Sequence, residues 1–484
     1  MKKYLIIFLI GAFSSLSMAP VNFWPAIFVG LSSLYLYVTN SKSTAKTALV
    51  GFIFSLGYFG FGLSWVGNAL LVEDNPYWWA WPIAVSGLPI ILSLFTVFSC
   101  AVHKYICKSH NNIGTYLSFC FFLMLSEYAR GHLFTGFPWN LYGYSWVDIL
   151  PIAQLASLWN IYILSFVTIL WAVFPAFTIT FNGDKKLKVL LNILTIFSVL
   201  SSYLYGQNRI SNYNKAQNTS NIYLVVVQPN IKQSEKWKTE NISKNFMKLI
   251  ELSKYKGDEN KRDNGQTYLI IWPETAIPQG IINAQWARGQ IQKLLNSYPN
   301  TAYLVTGALR YEKDSETYHN SIIVFDSDSQ IIQTYNKSHL VPFGEYMPLS
   351  NIIDIAPIVG FTGFEAGTKP NLLRLPNGIN IGAMICYEII FPKYAKFKDI
   401  NRPQIIINAT NDAWYGISSG PYQHLVQTQF RAIESGVSVV RSANTGVSAL
   451  IAPTGEISDF LSLEKSGAII IKSKSPIDIS NQSN

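Results

Sequence analysis

Three residues of this chain stand where apolar runs end, and their types could do chemistry: a carboxylate, a lysine and a thiol. Glu274 follows Ile271-Trp-Pro at the close of the β-forming run YLIIW (268–272). A carboxylate just past a buried strand is desolvated, which raises its pKa towards that of a general base. Lys337 opens Lys337-Ser-His-Leu-Val-Pro-Phe-Gly-Glu345, where a lysine and a glutamate flank an apolar stretch with turn residues. A paired or buried lysine is a fixed electrostatic donor. Cys386 ends Ile381-Gly-Ala-Met-Ile and is followed by Tyr387 and Glu388. A free thiol has a pKa of about 8.5, so attack at neutral pH needs a base or a cation beside it. Taken singly, each residue also fits a plainer role: a solvated loop glutamate, a solvated lysine, a small buried thiol.

Other chemistries fit less well. The six histidines (103, 110, 132, 319, 339 and 424) show no HExxH spacing and the cysteines no CxxC, so no metal site is expected. Gly363-Phe-Glu-Ala-Gly-Thr-Lys369 has the wrong spacing for a phosphate-binding loop and no strand directly before it, and no cofactor is expected. A cysteine–histidine pairing of Cys386 with His339 or His424 stays open, because such partners need not be neighbours in sequence.

The elements that must position these residues fall into two unlike halves. Of 484 residues 49% are hydrophobic and 13% are charged, about half the charge of an ordinary soluble domain. The deficit is confined to residues 1–206, which hold ten of the 37 basic residues and five of the 28 acids. Seven apolar segments cover about 4–19, 21–38, 49–70, 82–102, 113–127, 152–181 and 187–205. A helix needs roughly 20 apolar residues to cross a bilayer, so residues 1–206 read as a membrane domain of about seven transmembrane helices. With the N-terminus inside, every basic residue of this half except Arg130 falls on or next to the cytoplasmic side. An odd number of crossings then puts residue 207 onward on the outer face. Segment 4–19 also fits a cleaved signal peptide, with Lys2-Lys3 before it and Ser17-Met18-Ala19 after; cleavage leaves the second half outside all the same. The tryptophans show the opposite bias. Trp24, Trp65, Trp78, Trp79, Trp81, Trp139, Trp146 and Trp159 lie on or near the outer side, as an interfacial belt would.

A polar linker is expected over 207–221, followed by an α/β domain over 222–470 and a polar tail over 471–484. Strands are expected at 222–227, 268–272, 302–309, 321–325, 379–385, 404–408, 437–442 and 447–452, with helices at 240–255, 284–297 and 422–435. Cys100, Cys107 and Cys120 lie in or beside membrane segments, which leaves Cys386 as the one cysteine of the outer domain. The apolar run 352–364 reads either as an arm over the site at the bilayer surface or as ordinary core. The net charge of +9 comes largely from cytoplasmic loops, so a nucleic-acid partner is not expected.

Glu274 in WPET, Lys337 in YNKSHLVPFGEYMP and Cys386 in ICYE, in that order, resemble the Glu–Lys–Cys triad of the nitrilase superfamily. With a multi-span first half, residues 1–470 resemble the bacterial apolipoprotein N-acyltransferases. The resemblance implies an α-β-β-α sandwich for the second half. It implies transfer of an acyl chain from a phospholipid, through a cysteine thioester, to the α-amine of the diacylglyceryl-cysteine of an apolipoprotein, the third step of lipoprotein maturation. It implies a multi-pass protein of the bacterial inner membrane whose catalytic domain faces the periplasm. By the same resemblance Cys386 matches the nucleophile, Glu274 the base and Lys337 the oxyanion-side lysine. Glu345 matches a second glutamate, Tyr387 and Glu388 the pair after the cysteine, and Trp237 in QSEKW a tryptophan after the first strand. Asn320 in YHNSIIVF and Trp414 in NDAWYG also match. The family commonly ends in a further membrane span, whereas here the run Gly467-Ala-Ile-Ile-Ile gives way to KSKSPIDISNQSN. A membrane-tethered amidase or nitrilase with the same triad is the alternative enzyme. A transporter fused to an outer binding domain is a third reading, one that needs polar or broken helices at the midplane.

Overall fold

The computed structural model describes residues 1–73, 75–107, 112–216, 219–256, 265–348, 363–397 and 401–477. The expected arm over 352–364 lies, apart from its last two residues, outside them. The chain divides into two compact units: residues 1–68, 79–214 and 418–430 form one, and 69–78, 215–417 and 431–484 the other.

The first unit is helical. Its long helices are α1 (Lys2–Ser14), α2 (Pro25–Thr39), α3 (Thr44–Gly62), α4 (Trp81–Ile106), α5 (Ile113–Arg130), α7 (Ile161–Thr180) and α8 (Lys185–Ala216), with a single turn α6 (Leu150–Ala153). Side chains start three of them by bonding a free backbone N–H of the first turn: Ser43 for α3, Asn112 for α5 and Asn160 for α7. Four stretches are long and apolar enough to cross a membrane (44–62, 78–106, 161–180 and 185–216), while α1, α2 and α5 are not among them. Helices α1 and α3 meet backbone to backbone, since a side chain at Gly11 or Gly57 would collide with the other helix's main chain.

Three expectations for this half need correction. The segment 152–181 is broken at Asn160, and only α7 continues as a long helix. Residues 207–216, expected as linker, extend α8: they contain no Gly or Pro to stop it, and buried Arg209 bonds Gln154. The tryptophans are not one belt. Trp79 and Trp159 are exposed, but Trp65, Trp139 and Trp146 are buried. The indole N–H groups of Trp65 and Trp139 both donate to Gln423 Oε1, at 3.0 and 2.8 Å, because a buried indole needs an acceptor.

The second unit holds two six-stranded mixed sheets. The first has the order β12 (Gly467–Lys474), β1 (Thr219–Gln228), β2 (Thr267–Ile277), β3 (Thr301–Glu312), β4 (Thr317–Phe325), β5 (Ile331–Asn336). The second runs β11 (Ile457–Leu461), β10 (Ser448–Ile451), β9 (Val439–Ala443), β8 (Ile405–Thr410), β7 (Asn380–Ile385), β6 (Leu372–Arg374). Strands β1, β2 and β3 are parallel to one another, as are β7, β8 and β9. Strand alternation builds the layers. Leu224, Val226, Leu269 and Ile271 turn one way and meet Ile381, Ile385 and Ile407 of the other sheet. Val225, Val227 and Ile270 turn the other way and meet helices α10 (Thr239–Leu252) and α12 (Gln285–Asn296) through Phe246, Leu249, Ile291 and Leu294. Each such side chain contributes about 1.5–3 kcal/mol. Two single turns, α9 (Gln233–Lys236) and α11 (Gln279–Ile282), precede these helices, and α13 (Gly420–Ser435) reaches this unit with its last turn.

Strands β5, β6, β11 and β12 were not expected. β12 takes Lys472 and Lys474 out of the expected tail and into antiparallel pairing with β1, where the register sets Ile469 inward.

Candidate active site

The bends of four strand ends bring the site together. Glu274 lies near the end of β2, where pairing with β3 slips: Trp272 faces Thr306, but the next matched pair is Ile277 with Ala308. Residues 273–276 therefore bulge opposite a single residue, Gly307. Thr275 takes a left-handed φ of 46° there. A Cβ on Gly307 would lie 2.5 Å from Thr275 N and 2.6 Å from Glu274 Cα, so only glycine lets β3 pass so close.

Cys386 directly follows β7 with φ 48°, the second left-handed residue of the site, and opens a short turn, Cys386–Ile390. Such a backbone costs about 1–3 kcal/mol and persists only where its surroundings hold it. Glu388 does the holding. One of its carboxylate oxygens accepts from Ile385 N at 2.8 Å. The other accepts from Ser338 N (2.8 Å), Tyr335 Oη (2.7 Å), Ser338 Oγ (3.1 Å) and His339 N (3.2 Å). Glu388 thus staples the cysteine turn to the segment that leaves β5 with Lys337. Tyr387, also buried, packs its ring on Phe391.

Lys337 is anchored at both backbone ends: its N–H donates to Asn320 O and its carbonyl accepts from Gly367 N, each at 2.8 Å. Its Nζ lies 2.9 and 2.8 Å from the two oxygens of Glu345 and 3.6 Å from Glu274 Oε1. Asn320 on β4 bridges the two acids, Nδ2 donating to Glu274 Oε1 at 2.7 Å and to Glu345 Oε1 at 2.9 Å. Val341 N donates to the other Glu345 oxygen at 2.8 Å. The side chains of Glu274, Asn320, Lys337 and Glu345 are all buried.

Burial sets the electrostatics. It pushes the Cys386 thiol up to about 12, reinforced by the Glu274 charge and only partly opposed by Lys337. At rest Cys386 is therefore a thiol, and any attack by its sulfur would require that proton to leave. Burial alone would lower Lys337, but Glu345 and Glu274 outweigh it and hold the ammonium above the ordinary lysine range. Burial also raises the Glu388 carboxyl, against the hydrogen bond from Tyr335.

The structure thus gathers Glu274, Lys337, Glu345, Asn320 and, through Glu388, Cys386 and Tyr387. Trp237 is half-buried beside the Glu274 bulge and lines a small cavity with Lys236, Pro273 and Ala276. Trp414 is half-buried in the turn after β8, and among the described residues no hydrogen bond or ion pair links its side chain to the triad. The Glu274 and Asp412 charges raise the thiol and the Lys337 charge lowers it. His339 stacks near Phe391 at 4.1 Å, and His424 belongs to the helical unit, 5.4 Å from the Trp139 ring. Among the described residues no group of three His, Cys, Asp or Glu could hold a metal.

Four residues of the site escaped the sequence reading. Buried Lys236 donates to Glu274 O at 3.0 Å and to Thr275 Oγ1 at 2.7 Å. Asp412 and Arg441 form a buried ion pair whose carboxylate adds to the field on Cys386. Gly307, in the run VTGAL, is the one sequence sign of the bulge.

Both halves of the chain are similar to known proteins. Residues 224–475 match the carbon–nitrogen hydrolase family, and residues 10–174 match the apolipoprotein N-acyltransferase N-terminal domain. The apolipoprotein N-acyltransferase of Rhodopseudomonas palustris is 35% identical over 97% of this chain and 89% of its own length. That of Rickettsia prowazekii is 36% identical over 96% of this chain and 90% of its own. Among solved structures, Saccharomyces cerevisiae Nit3, of branch 10 of the nitrilase superfamily, aligns with a TM-score of 0.39 at 16% identity, over 52% of this chain and 90% of that one.

Proposed function

The chain belongs to the apolipoprotein N-acyltransferase family, and on that premise we propose that it moves an acyl chain from a phospholipid, through a thioester on Cys386, to the α-amine of the diacylglyceryl-cysteine of an apolipoprotein. The observation that carries this reading is a buried thiol after β7 on which the Glu274 carboxylate and the Lys337 ammonium both act.

In the first half-reaction the Cys386 sulfur bonds to the ester carbonyl carbon as its proton passes to Glu274. Lys337 and a backbone N–H beside Tyr387 hold the oxyanion, each donor supplying about 3–4 kcal/mol. The ester C–O bond then breaks, protonated Glu274 returns the proton to the departing glycerol oxygen, and a lysophospholipid leaves. In the second half Glu274 takes a proton from the acceptor amine as nitrogen bonds to the thioester carbon. The C–S bond breaks and the proton goes back to sulfur. A thioester is reactive enough towards an amine that no nucleotide is spent. Asn320, Glu345 and Glu388 are positioning residues in this scheme, and Trp237 and Trp414 are assigned to the substrate side.

The lipid donor and lipoprotein acceptor call for a membrane setting. We assign seven crossings to the seven long helices, the bilayer to the bacterial inner membrane, and residues 222–470 to the periplasmic face, on the strength of the basic residues at the opposite ends.

The test is chemical. Incubation with phospholipid should leave a hydroxylamine-sensitive acyl group on Cys386 of the wild type and none on Cys386→Ala, which should still insert in membranes. Acyl transfer to a diacylated peptide without that adduct refutes the thioester route; release of free fatty acid alone favours the amidase-like alternative.

A further inference from the structure

We propose that Lys236 is a positioning residue of this reaction, its ammonium gripping the β2 bulge that carries Glu274 and placing a second positive charge beside the base. The inference rests on the acyl-transfer reading and deepens it.

Lys236 is the last residue of α9, from the first stretch of chain after β1. Two of its three ammonium protons are accounted for by Glu274 O and Thr275 Oγ1, at 3.0 and 2.7 Å. The Nζ also lies 5.2 Å from the centroid of the Trp237 ring, within reach of a cation–π interaction. Both gripped residues belong to the bulge, and Thr275 is the one in the left-handed conformation. Packing alone would fill this place with Met or Leu. A charged amine in a buried position, bonded to the main chain of the proposed base, points to a task at that base.

Its charge also changes in the working range. Burial lowers Lys236 to about 8, against the pull of Glu274 and Cys386, the two titratable groups that act on it. The other groups facing its cavity, Trp237, Asn245 and Asn444, are uncharged. Cys386 is held near 12 and Lys337 above the ordinary lysine range, so neither titrates in this window. Below about pH 8 Lys236 is an ammonium and above it a neutral amine. The amine still has two N–H groups for the same two acceptors, so raising the pH removes the charge and leaves the grip in place.

Single-turnover acylation of Cys386 by phospholipid, in the full-length protein in detergent, separates these effects. The wild-type rate should be level to about pH 7.5 and fall roughly tenfold by pH 9–9.5, one unit past the titration. Lys236→Arg should keep most of the rate at pH 7 and hold its plateau to about pH 10. Lys236→Met should be slower than the wild-type plateau by about 10²-fold, as a displaced base would be, with unchanged KM and no limb near 8. A limb that persists unmoved in Lys236→Arg or Lys236→Met overturns the proposal. So does a Met variant that acylates like wild type, or one whose whole loss lies in KM or thermal unfolding. If the wild type forms no adduct, the acyl-transfer reading itself fails, and that outcome is distinct.

Discussion

Replacing Gly307 by alanine tests whether the β2 bulge sets the aim of Glu274. The new Cβ would sit 2.5 Å from Thr275 N, 2.6 Å from Glu274 Cα and closer still to Pro273 O, all of them backbone atoms. Side chains cannot swing aside to relieve such a contact. Even to reach 3.0 Å the bulge must retreat by about half an ångström, and about 1 Å to reach an ordinary contact. Glu274 Oε1 now lies 2.7 Å from Asn320 Nδ2 and 3.6 Å from Lys337 Nζ, so a shift of that size breaks the first and empties the second of meaning. A 1 Å displacement of a catalytic group costs about 10²-fold, or about 2.7 kcal/mol of activation free energy. Overpacking a buried strand should also cost about 1–3 kcal/mol of stability. Quenched-flow measurement of the acyl-enzyme, with a thermal melt of the same sample, reads both. Gly289→Ala on α12 is the control: a Cβ there would meet no atom within 4 Å, so the variant should acylate like wild type and melt no lower, alanine being favoured over glycine in a helix interior by about 1 kcal/mol. A Gly307→Ala protein that acylates at the wild-type rate refutes the claim that close strand passage positions the base.

Glu274→Gln should abolish transfer yet speed alkylation of Cys386 by iodoacetamide at fixed pH. The Glu274 charge helps hold the thiol near 12, and removing it lowers that pKa; slower alkylation would contradict the assignment. In the wild type the same alkylation should rise about tenfold per pH unit from pH 8 to 11 without a plateau, a direct titration of the thiol. Lys337→Met leaves Glu274 and Glu345 buried without their cation, and should cost about 3–5 kcal/mol in a denaturant melt as well as the acylation. Since Lys337 is raised in the folded state, its stabilisation is full below the ordinary lysine pKa of about 10.4 and is lost only as pH climbs through the higher folded value. Wild-type melting should therefore show no loss from this pair between about pH 6 and 9. Glu388→Gln can offer only one carbonyl oxygen to two separate donor sets. It should lose about 1–3 kcal/mol and slow acylation, since either Ile385 N or the Ser338 group goes unpaired.

What could be read from the sequence follows how local each signal is. A continuous apolar run such as YLIIW announces a strand buried on both faces, and a polar residue directly after it announces a strand end; Glu274 and Cys386 were visible for that reason. β5 (IIQTYN) and β12 (GAIIIKSK) are only partly buried, so their polar residues look like loop until the partner strand is known. Lys236 sits in QSEK among other charged residues, and nothing local separates a lysine that turns inward from one that turns to water. The Asp412–Arg441 pair joins residues after β8 and on β9, a meeting made by the parallel pairing of those strands. Gly307 alone carried a local sign of the bulge, because a glycine inside a strand marks either a bulge or a close approach.

In the proposed reaction, the charges of the site account for how a thiol held near 12 would serve as a nucleophile at neutral pH. Lys337 sits between two carboxylates, Glu345 in direct contact and Glu274 at 3.6 Å. As sulfur attacks, Glu274 gains the thiol proton and its negative charge disappears, while a negative charge grows on the carbonyl oxygen beside the same ammonium. Negative charge is moved within reach of one fixed cation and none is created in the apolar interior, where a new unpaired charge costs most. A standing thiolate would add a third negative charge to the two carboxylates before any substrate arrived, which is the state that burial and Glu274 together oppose. The nucleophile therefore forms only when an acyl carbonyl is present to take up its charge. Asn320, bonded to both acids, keeps Glu274 in line through the change, because its N–H can donate to a protonated carboxyl as well as to a charged one. In the proposed scheme the high thiol pKa and the crowded lysine are two sides of one arrangement, which would keep the site idle without a lipid ester and let the proton and the acyl group move together once one is bound.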